Sequence, residues 1–189
     1  MAEHVILFTG PMGAGKTTAI QSLSEIEVVR TEANNSERHI VDKATTTVAL
    51  DYGEILVGSQ EKVRLYGIPG QRRFNFMWTI LKKRAKGMIL LVNSDAPDPI
   101  AEMLFFLDEF RVLYDRGGVI VGVTRADLGV GPVLSDFSEA LERTNPELVI
   151  PVFTVDPRER DQMQNILLTL VINIEMRAAF GTVSGVRSL

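Results

Sequence analysis

A glycine-rich segment at residues 10–17 carries the residue types with the most specific chemical potential. It reads Gly-Pro-Met-Gly-Ala-Gly-Lys-Thr and matches the pattern G-x-x-x-x-G-K-[ST]. It lies between an apolar run at residues 5–8 and a helical pattern at residues 16–23, which is the strand-to-helix context that the pattern requires. The sequence therefore predicts a loop whose backbone N–H groups surround phosphate oxygens.

Each residue type in this segment has a chemical reason for its place. The glycines let the chain curl, and the first turn of the following helix adds partial positive charge. Lys16 can reach the β- and γ-phosphates of a nucleotide, and the Thr17 hydroxyl is placed to bind Mg²⁺. A plain connecting turn is the alternative, which the full match in this context disfavours. The predicted nucleotide-binding residues of the segment are Gly10, Gly13, Ala14, Gly15, Lys16, Thr17 and Thr18.

The elements that must position this loop follow an alternating rhythm of short apolar runs and longer helical patterns. Such a rhythm predicts an α/β fold with three layers, in which helices cover both faces of a mostly parallel sheet. We expect six strands, one of them an antiparallel edge strand formed by a hairpin around residues 58–60, and a long loop at residues 27–43. The strands are predicted at 5–8, 48–57, 62–66, 87–92, 119–123 and 149–155, and the helices at 16–23, 74–84, 100–114, 133–143 and 160–180.

Length and composition limit the classes of function. With 189 residues and 46% hydrophobic content, the chain is expected to form a single domain over residues 1–189. The net charge of -4, with no dense run of Lys or Arg, argues against a nucleic acid partner. The absence of cysteine excludes disulfides, thiolate zinc sites and thiol nucleophiles.

The chain also lacks recognisable membrane signals. The apolar run near the N-terminus is too short, and its surroundings are too acidic, for a secretory signal. No apolar stretch approaches the roughly 20 residues needed to span a bilayer. Ala2 replaces the glycine needed for myristoylation, and no cysteine is available for prenylation. We expect a cytoplasmic protein with no direct membrane anchor.

Three further segments decide between classes of P-loop protein. They are Lys-Ala-Thr-Thr-Thr-Val-Ala-Leu-Asp at residues 43–51, Leu-Tyr-Gly-Ile-Pro-Gly-Gln at 65–71 and Gly-Val-Thr-Arg-Ala-Asp at 122–127. In this order and spacing they resemble switch I, switch II and the guanine-reading N-K-x-D of small Ras-like P-loop GTPases. The closer resemblance is to the bacterial and archaeal branch, which is related to the gliding-motility polarity GTPases and to Arf and Rag GTPases. It covers about residues 3–178 and implies the three-layer P-loop NTPase fold of a Ras-like G domain.

The resemblance implies roles for the switch residues. Thr47, with Thr45 and Thr46 as alternatives, would bind Mg²⁺ beside Thr17 and sense the γ-phosphate. Gly70 would offer its backbone N–H to that phosphate, because a residue without a side chain permits close approach. Gln71 would orient the attacking water. The expected catalytic residues are Gln71, Lys16 and Thr47, and the expected metal ligands are Thr17 and Thr47.

The resemblance also implies a site for the base. Asp127 would accept hydrogen bonds from N1–H and the exocyclic amine of guanine, a pair of donors that adenine does not offer. Arg125 would lie along the face of the base, and Thr124 stands where relatives carry Asn. The backbone N–H that reads guanine O6 would come from residues 154–157, where Val155 is the candidate. The register there is ambiguous by two residues, and Pro157 in that place would remove the donor.

Two departures from the pattern affect the expected rate and affinity. Gly67 stands where the switch II aspartate is expected, which removes a carboxylate that would hold a magnesium-bound water and predicts slow hydrolysis. Thr124 lacks the amide that braces the loop and the base. No arginine finger can be assigned among Arg38, Arg72 and Arg73, for which a solvent-exposed role is the alternative.

An apolar cluster follows switch II. Its members are Phe74, Phe76, Met77 and Trp78. Four large side chains within five residues of one helix cannot all face inward, so part of the cluster is predicted to form a partner surface.

Together these features favour a small GTP-binding switch that binds GTP or GDP with Mg²⁺, hydrolyses GTP slowly and signals to a partner protein. The resemblance implies an effector or activator such as a roadblock-type domain. A non-catalytic nucleotide-binding scaffold is one alternative. An ATP-dependent P-loop kinase is another, but it should carry an arginine-rich lid that the sequence does not show.

Overall fold

The computed structural model describes residues 3–33, 48–57, 61–71, 74–114, 116, 118–147 and 149–180. The strands in these residues are β1 (Glu3–Thr9), β2 (Val29–Ala33), β3 (Val48–Val57), β4 (Glu61–Gly67), β5 (Gly87–Asn93), β6 (Val119–Thr124) and β7 (Val152–Thr154). The helices are α1 (Lys16–Leu23), α2 (Asn75–Arg84), α3 (Pro99–Glu109), α4 (Arg111–Tyr114), α5 (Leu134–Thr144) and α6 (Arg160–Phe180), with a 3₁₀ turn at Ala126–Leu128.

The described strands form one sheet in the order β2-β3-β4-β1-β5-β6-β7. The pairs from β4 through β1, β5 and β6 to β7 are parallel, whereas β3 is antiparallel to both β2 and β4. The predicted α/β fold with a mostly parallel sheet is confirmed. Two details of the prediction were wrong: the described sheet has seven strands rather than six, and the antiparallel strand lies second from the edge.

Both differences come from β2, which lies within the segment predicted as a loop. Its residues read Val-Arg-Thr-Glu-Ala, so they contain no sustained apolar run that would indicate a strand. They form one because β3 supplies hydrogen-bonding partners along its free edge, with Thr31 opposite Leu50. Residues 27 and 28 precede β2, and the remainder of the predicted loop, residues 34–43, lies outside the described residues.

Helices cover both faces of the sheet. All residues of β5 and β6 are buried, as expected for strands that are covered on both sides. Alternate residues belong to two apolar clusters: Leu7 and Leu90 pack on the side of α2, α3 and α5, whereas Phe8 and Ile89 pack on the side of α1 and α6. The arrangement is therefore three-layered.

The helices follow the predicted bounds closely, with one break. α1 and α6 span the predicted residues, but the helix predicted at residues 100–114 is divided into α3 and α4 at Phe110. Phe110 is fully buried, and its ring centroid lies 5.6 Å from that of Trp78. Its backbone has φ −106° and ψ 25°, so it departs from helical geometry while filling the core. Helical spacing alone does not reveal such a break.

The longest described helix, α6, lies along the sheet beside α1. Met163, Leu167 and Leu170 of α6 are almost fully buried in the cluster on that face. Within the described ranges, no helix has both the length and the apolar character needed to cross a membrane.

Candidate functional site

The glycine-rich loop joins the carboxyl end of β1 to the first turn of α1. Gly10, Gly13 and Gly15 have φ values of 131°, 81° and 92°, a region that residues with a side chain rarely adopt. A Cβ at Gly10 would also lie 1.9 Å from the Leu91 carbonyl oxygen, and one at Gly15 would lie 2.6 Å from Cγ of Pro157. The curvature of the loop therefore favours glycine at all three positions, and close packing additionally requires it at Gly10 and Gly15.

Lys16 points back into this loop. Its Nζ donates to the carbonyl oxygens of Gly10 at 2.9 Å and Pro11 at 2.6 Å. Burial lowers the pKa of Lys16 to about 8, and the nearby carboxylate of Asp51 offsets part of that effect. The partly desolvated ammonium group would gain stability from an anion beside it.

Thr17 contacts a carboxylate that comes from β3. Its hydroxyl donates to Oδ2 of Asp51. In the antiparallel pairing of β3 with β4, Asp51 lies directly opposite Gly67. A Cβ on Gly67 would lie 3.1 Å from Cβ and 3.3 Å from Oδ2 of Asp51. The space that Gly67 leaves free is therefore occupied by the Asp51 carboxylate.

Asp51 is thus a site residue to which the sequence analysis assigned no role, although a signal for it was present. The predicted hairpin turn is centred on Ser59, and a two-strand pairing that is symmetrical about this residue places 51 opposite 67. The observed register has this symmetry, since Glu54 pairs with Arg64 and Val57 pairs with Glu61. A carboxylate, that of Asp51, thus lies on the neighbouring strand directly opposite Gly67.

One cavity of about 440 Å³ opens between the loop, the start of β3 and the connection after β4. It is lined by Met12, Gly13, Gly15, Lys16, Thr17, Thr18, Asp51, Gly67, Ile68, Pro69, Gly70 and Gln71. The structure thus brings together most of the loop residues and both residues predicted from the Pro-Gly-Gln segment. Gly70 approaches the loop so closely that a Cβ would lie 2.1 Å from the Gly10 carbonyl oxygen. The Gln71 amide lies 3.5 Å from the Met12 sulfur.

A second cavity of about 450 Å³ lies on the other side of the same loop. It is lined by Gly13, Ala14, Gly15, Thr18, Thr124, Arg125, Asp127, Leu128, Asp156, Pro157 and Arg158. Asp127 is exposed at its edge, in the 3₁₀ turn after β6. Because Gly13, Gly15 and Thr18 line both cavities, the two are adjacent along the loop.

Arg125 connects the second cavity to the glycine-rich loop. Its guanidinium pairs with the Asp95 carboxylate at 3.1 Å, and its Nη2 donates to the Gly13 carbonyl oxygen at 3.4 Å. Its backbone has φ 59°, an uncommon value for a residue with a side chain. The Thr124 hydroxyl, by contrast, is buried and donates to Oδ1 of Asn93 at 3.0 Å. Arg125 therefore supplies a brace to the loop that the threonine cannot supply.

The connection after β7 places residues 154–157 at the end of the sheet and beside the second cavity. The Val155 N–H donates to the Val123 carbonyl oxygen at 2.9 Å and its side chain is buried, so this N–H extends the sheet. The following residues, Asp156 to Arg158, line the cavity instead. Arg158 donates to both carboxylate oxygens of Asp156, which holds the pKa of Asp156 at about 2. The sequence carries no motif that marks this pair.

The apolar cluster after the Pro-Gly-Gln segment is divided as the helical geometry predicted. Met77 and Trp78 are buried, whereas Phe76 is 41% exposed. Trp78 also anchors the connection that lines the first cavity, because its Nε1–H donates to the Pro69 carbonyl oxygen at 3.0 Å. The start of α2 is thus coupled to that cavity, and one aromatic side chain faces solvent.

Several residues of the sequence analysis lie outside the described residues. They are Arg38, Thr45, Thr46, Thr47, Arg72 and Arg73.

Comparison with known proteins gives a similarity over most of the chain but no family. No protein-family profile matches the chain. The chain is 25% identical over 171 residues to the uncharacterized protein MJ1339 of Methanocaldococcus jannaschii, and the alignment covers 88% of this chain and 96% of that protein. This similarity names no activity, so the function must be argued from the site itself.

Proposed function

We propose that this protein is a small GTP-binding switch, which binds GTP or GDP with Mg²⁺, hydrolyses GTP slowly and signals to a partner protein. The fold would then be a Ras-like G domain of the P-loop class. The proposal rests above all on the two adjacent cavities, since one brings Lys16 and Thr17 together and the other contains Asp127. A nucleotide that follows the loop would place its phosphates in the first cavity and its base in the second.

The charges of the first cavity support a phosphate ligand. The lowered pKa of Lys16 reflects an ammonium group that lacks solvation, and phosphate oxygens would restore favourable interactions to it. No side chain caps the N-terminus of α1, whose N-cap residue is Gly15. The N–H groups of the first turn and the helix dipole therefore favour an anion at this place.

The oxygen ligands beside the loop fit Mg²⁺. This ion prefers oxygen donors and usually combines one or two protein ligands with phosphate oxygens and waters. The Thr17 hydroxyl would bind it directly, and the Asp51 carboxylate would hold its water or the ion itself. When bound, the ion would neutralise charge on the phosphates. Thr47, the second expected ligand, remains part of the proposal.

The second cavity supports a guanine base. The exposed carboxylate of Asp127 can accept from two adjacent donors, which guanine presents and adenine does not. Arg125 crosses from this cavity to the Gly13 carbonyl oxygen, so its side chain can both cover the base and brace the loop. The Val155 N–H already donates to the Val123 carbonyl oxygen. Val155 could therefore contact guanine O6 only after a local rearrangement.

Slow hydrolysis is expected because few positive charges are available to stabilise the transferring phosphoryl group. Lys16 is the only cationic side chain among the described residues that line the first cavity. Gln71 would orient the attacking water after leaving Met12, and Gly70 would donate its N–H to the γ-phosphate. An activator such as a roadblock-type domain would raise the rate by ordering these residues, and the exposed Phe76 provides an apolar contact for a partner.

Calorimetric titration with GDP, a non-hydrolysable GTP analogue and ADP in the presence of Mg²⁺ tests this proposal. Lys16→Ala should weaken all three nucleotides, because the ammonium group contacts phosphate. Asp127→Asn should weaken only the guanine nucleotides, and Asp108→Asn, a matched change on the exposed side of α3, should have no effect.

Equal or tighter binding of ADP would refute the GTPase proposal and favour an ATP-dependent kinase. Guanine binding without any hydrolysis, with or without a partner, would instead support a non-catalytic scaffold.

A further inference from the structure

A second group of ligand-type side chains lies at the other end of the sheet. His4 near the start of β1, Glu61 at the start of β4 and Glu175 in the last third of α6 place one ligand atom each within 4.8 Å of one another. Nε2 of His4 lies 3.8 Å from Oε2 of Glu61 and 3.7 Å from Oε1 of Glu175. Three separate elements thus direct an imidazole and two carboxylates to one point.

The imidazole of His4 is buried without a hydrogen bond. Only 5% of His4 is exposed, and neither ring nitrogen has a hydrogen-bond partner among the residues that the structure describes. Leaving a buried polar group unpaired costs about 1–3 kcal/mol. The two carboxylates lie beyond hydrogen-bond distance of Nε2 but within ion-pair distance of it. A cation between the three groups would therefore be attracted by both carboxylates and could accept the lone pair of the imidazole nitrogen.

A divalent metal ion would serve as that cation. Zinc bonds of about 2.1 Å to nitrogen and oxygen place neighbouring ligand atoms about 3.4 Å apart in a tetrahedron. The two distances from Nε2 of His4, 3.8 and 3.7 Å, are a few tenths of an ångström longer than this, and all three ligand atoms lie within 4.8 Å of one another. Glu61 and Glu175 have side chains that are 38% and 48% exposed, so they are free to move by this amount. Two carboxylates and a neutral imidazole balance the charge of a divalent ion.

We propose that His4, Glu61 and Glu175 bind a divalent transition-metal ion of the zinc class, with water completing its coordination. The imidazole favours such an ion over Mg²⁺ and Ca²⁺, which prefer oxygen ligands alone. The chain contains no cysteine that could form a competing thiolate site.

The site is separate from the nucleotide site proposed above. His4 and Thr9, the residue before the glycine-rich loop, are five positions apart on β1, which corresponds to about 17 Å. The ion would link β1, β4 and α6, and so attach the last turns of α6 to the sheet. Because it binds the folded chain, it would raise the thermal stability, by an amount that grows with the logarithm of its concentration once that concentration exceeds Kd.

Titration of the full chain with Zn²⁺ tests the proposal. The protein is first treated with a chelator and freed of nucleotide, and excess Mg²⁺ is kept present to occupy oxygen-only sites. One Zn²⁺ per chain is expected, with an increase in melting temperature. His4→Gln and Glu175→Gln should each weaken binding by about tenfold or more, because each removes one of three ligands.

Matched controls separate this site from adventitious binding. His39→Gln changes the only other histidine of the chain, and Glu142→Gln changes an exposed glutamate of α5; both should bind Zn²⁺ as the wild type does. The absence of one-to-one binding, or an equal loss in His39→Gln, would overturn the proposal. If His4→Gln does not fold, Glu175→Gln provides the test. If its melting temperature differs from that of the wild type by the same amount with and without Zn²⁺, Glu175 forms only an ion pair and the metal is excluded.

Discussion

Replacing Asp51 with Asn removes a negative charge from the first cavity while preserving the shape of the side chain. The Thr17 hydroxyl, which donates to Oδ2 of Asp51, can still donate to an amide oxygen. The fold should therefore persist. What changes is the electrostatic attraction for Mg²⁺, and the variant isolates this contribution.

The expected loss can be estimated from the position of the carboxylate. Groups that orient a metal ligand or a metal-bound water typically contribute 10- to 100-fold in metal affinity, or about 1.4–2.8 kcal/mol. We therefore expect the Mg²⁺ concentration that gives half-maximal GDP binding to rise by about 10- to 100-fold in Asp51→Asn.

The reverse change tests whether the neighbouring strand can provide the same charge. A Cβ at Gly67 would lie 3.3 Å from Oδ2 of Asp51 and 2.8 Å from Cδ1 of Ile20. Gly67→Asp alone would place two carboxylates about 4 Å apart, which costs about 4 kcal/mol at an effective dielectric constant of about 20. Combining Gly67→Asp with Asp51→Gly removes this repulsion and restores one carboxylate at the same place.

The assay is displacement of a fluorescent GDP at increasing Mg²⁺, together with urea unfolding of each variant. Asp51→Asn should need about 10- to 100-fold more Mg²⁺, Gly67→Asp should be less stable, and the double variant should need less Mg²⁺ than Asp51→Asn. Asp108→Asn serves as the control for removal of a surface carboxylate. An unchanged Mg²⁺ requirement in Asp51→Asn, or a double variant that needs as much Mg²⁺ as Asp51→Asn, would refute the assigned role.

Three further predictions concern the loop and its neighbours. Gly15→Ala should weaken GDP binding and destabilise the fold by about 1–3 kcal/mol in urea unfolding, because φ is 92° and the new Cβ would lie 2.6 Å from Pro157. The pKa of Lys16, about 8 without ligand, should rise when phosphate binds, so GDP affinity should be full below pH 8 and fall above it in calorimetry. Trp78, the only tryptophan, should change its fluorescence between GDP and a GTP analogue, because its Nε1–H donates to the Pro69 carbonyl oxygen beside the first cavity.

Each of these predictions has a decisive control. Pro157→Ala should relieve part of the Gly15→Ala defect, and no relief would show that the clash is not its cause. The guanidinium group in Lys16→Arg does not titrate in this range. If the variant and the wild type lose GDP affinity equally above pH 8, the loss does not come from Lys16. ADP should leave the Trp78 spectrum unchanged, and identical spectra with GDP and the GTP analogue would contradict the coupling to the first cavity.

The pH dependence of stability follows from the same lysine with a defined sign. In the ligand-free protein the folded pKa of about 8 lies below the ordinary value of 10.5. The unfolded chain therefore binds more protons between these values, and the Lys16 contribution to stability increases with pH in this window. Nucleotide affinity should move in the opposite direction, because phosphate favours the charged amine.

Sequence features with a strong local signal were predictable. Apolar runs at the positions of β5 and β6 indicated buried strands because both faces of these strands are covered, and the glycine pattern located the loop because its backbone requires glycine. The edge strand β2 was missed because its pairing depends on β3 rather than on its own residues. The break at Phe110 was missed because tertiary packing interrupts a helical pattern that continues in the sequence.

The location of the carboxylate shows how topology and register jointly determine a site. β4 is parallel to β1, and Gly67 at its end lies beside Phe8, close to the start of the loop. β3 runs in the opposite direction, so its beginning reaches the same edge of the sheet that β4 reaches at its end. A side chain at position 67 would therefore begin next to the carboxylate that contacts Thr17, since its Cβ would lie 3.3 Å from Oδ2 of Asp51. Either strand could thus direct a carboxylate toward Thr17, and the exchange of charge between Asp51 and Gly67 tests whether the two positions are equivalent.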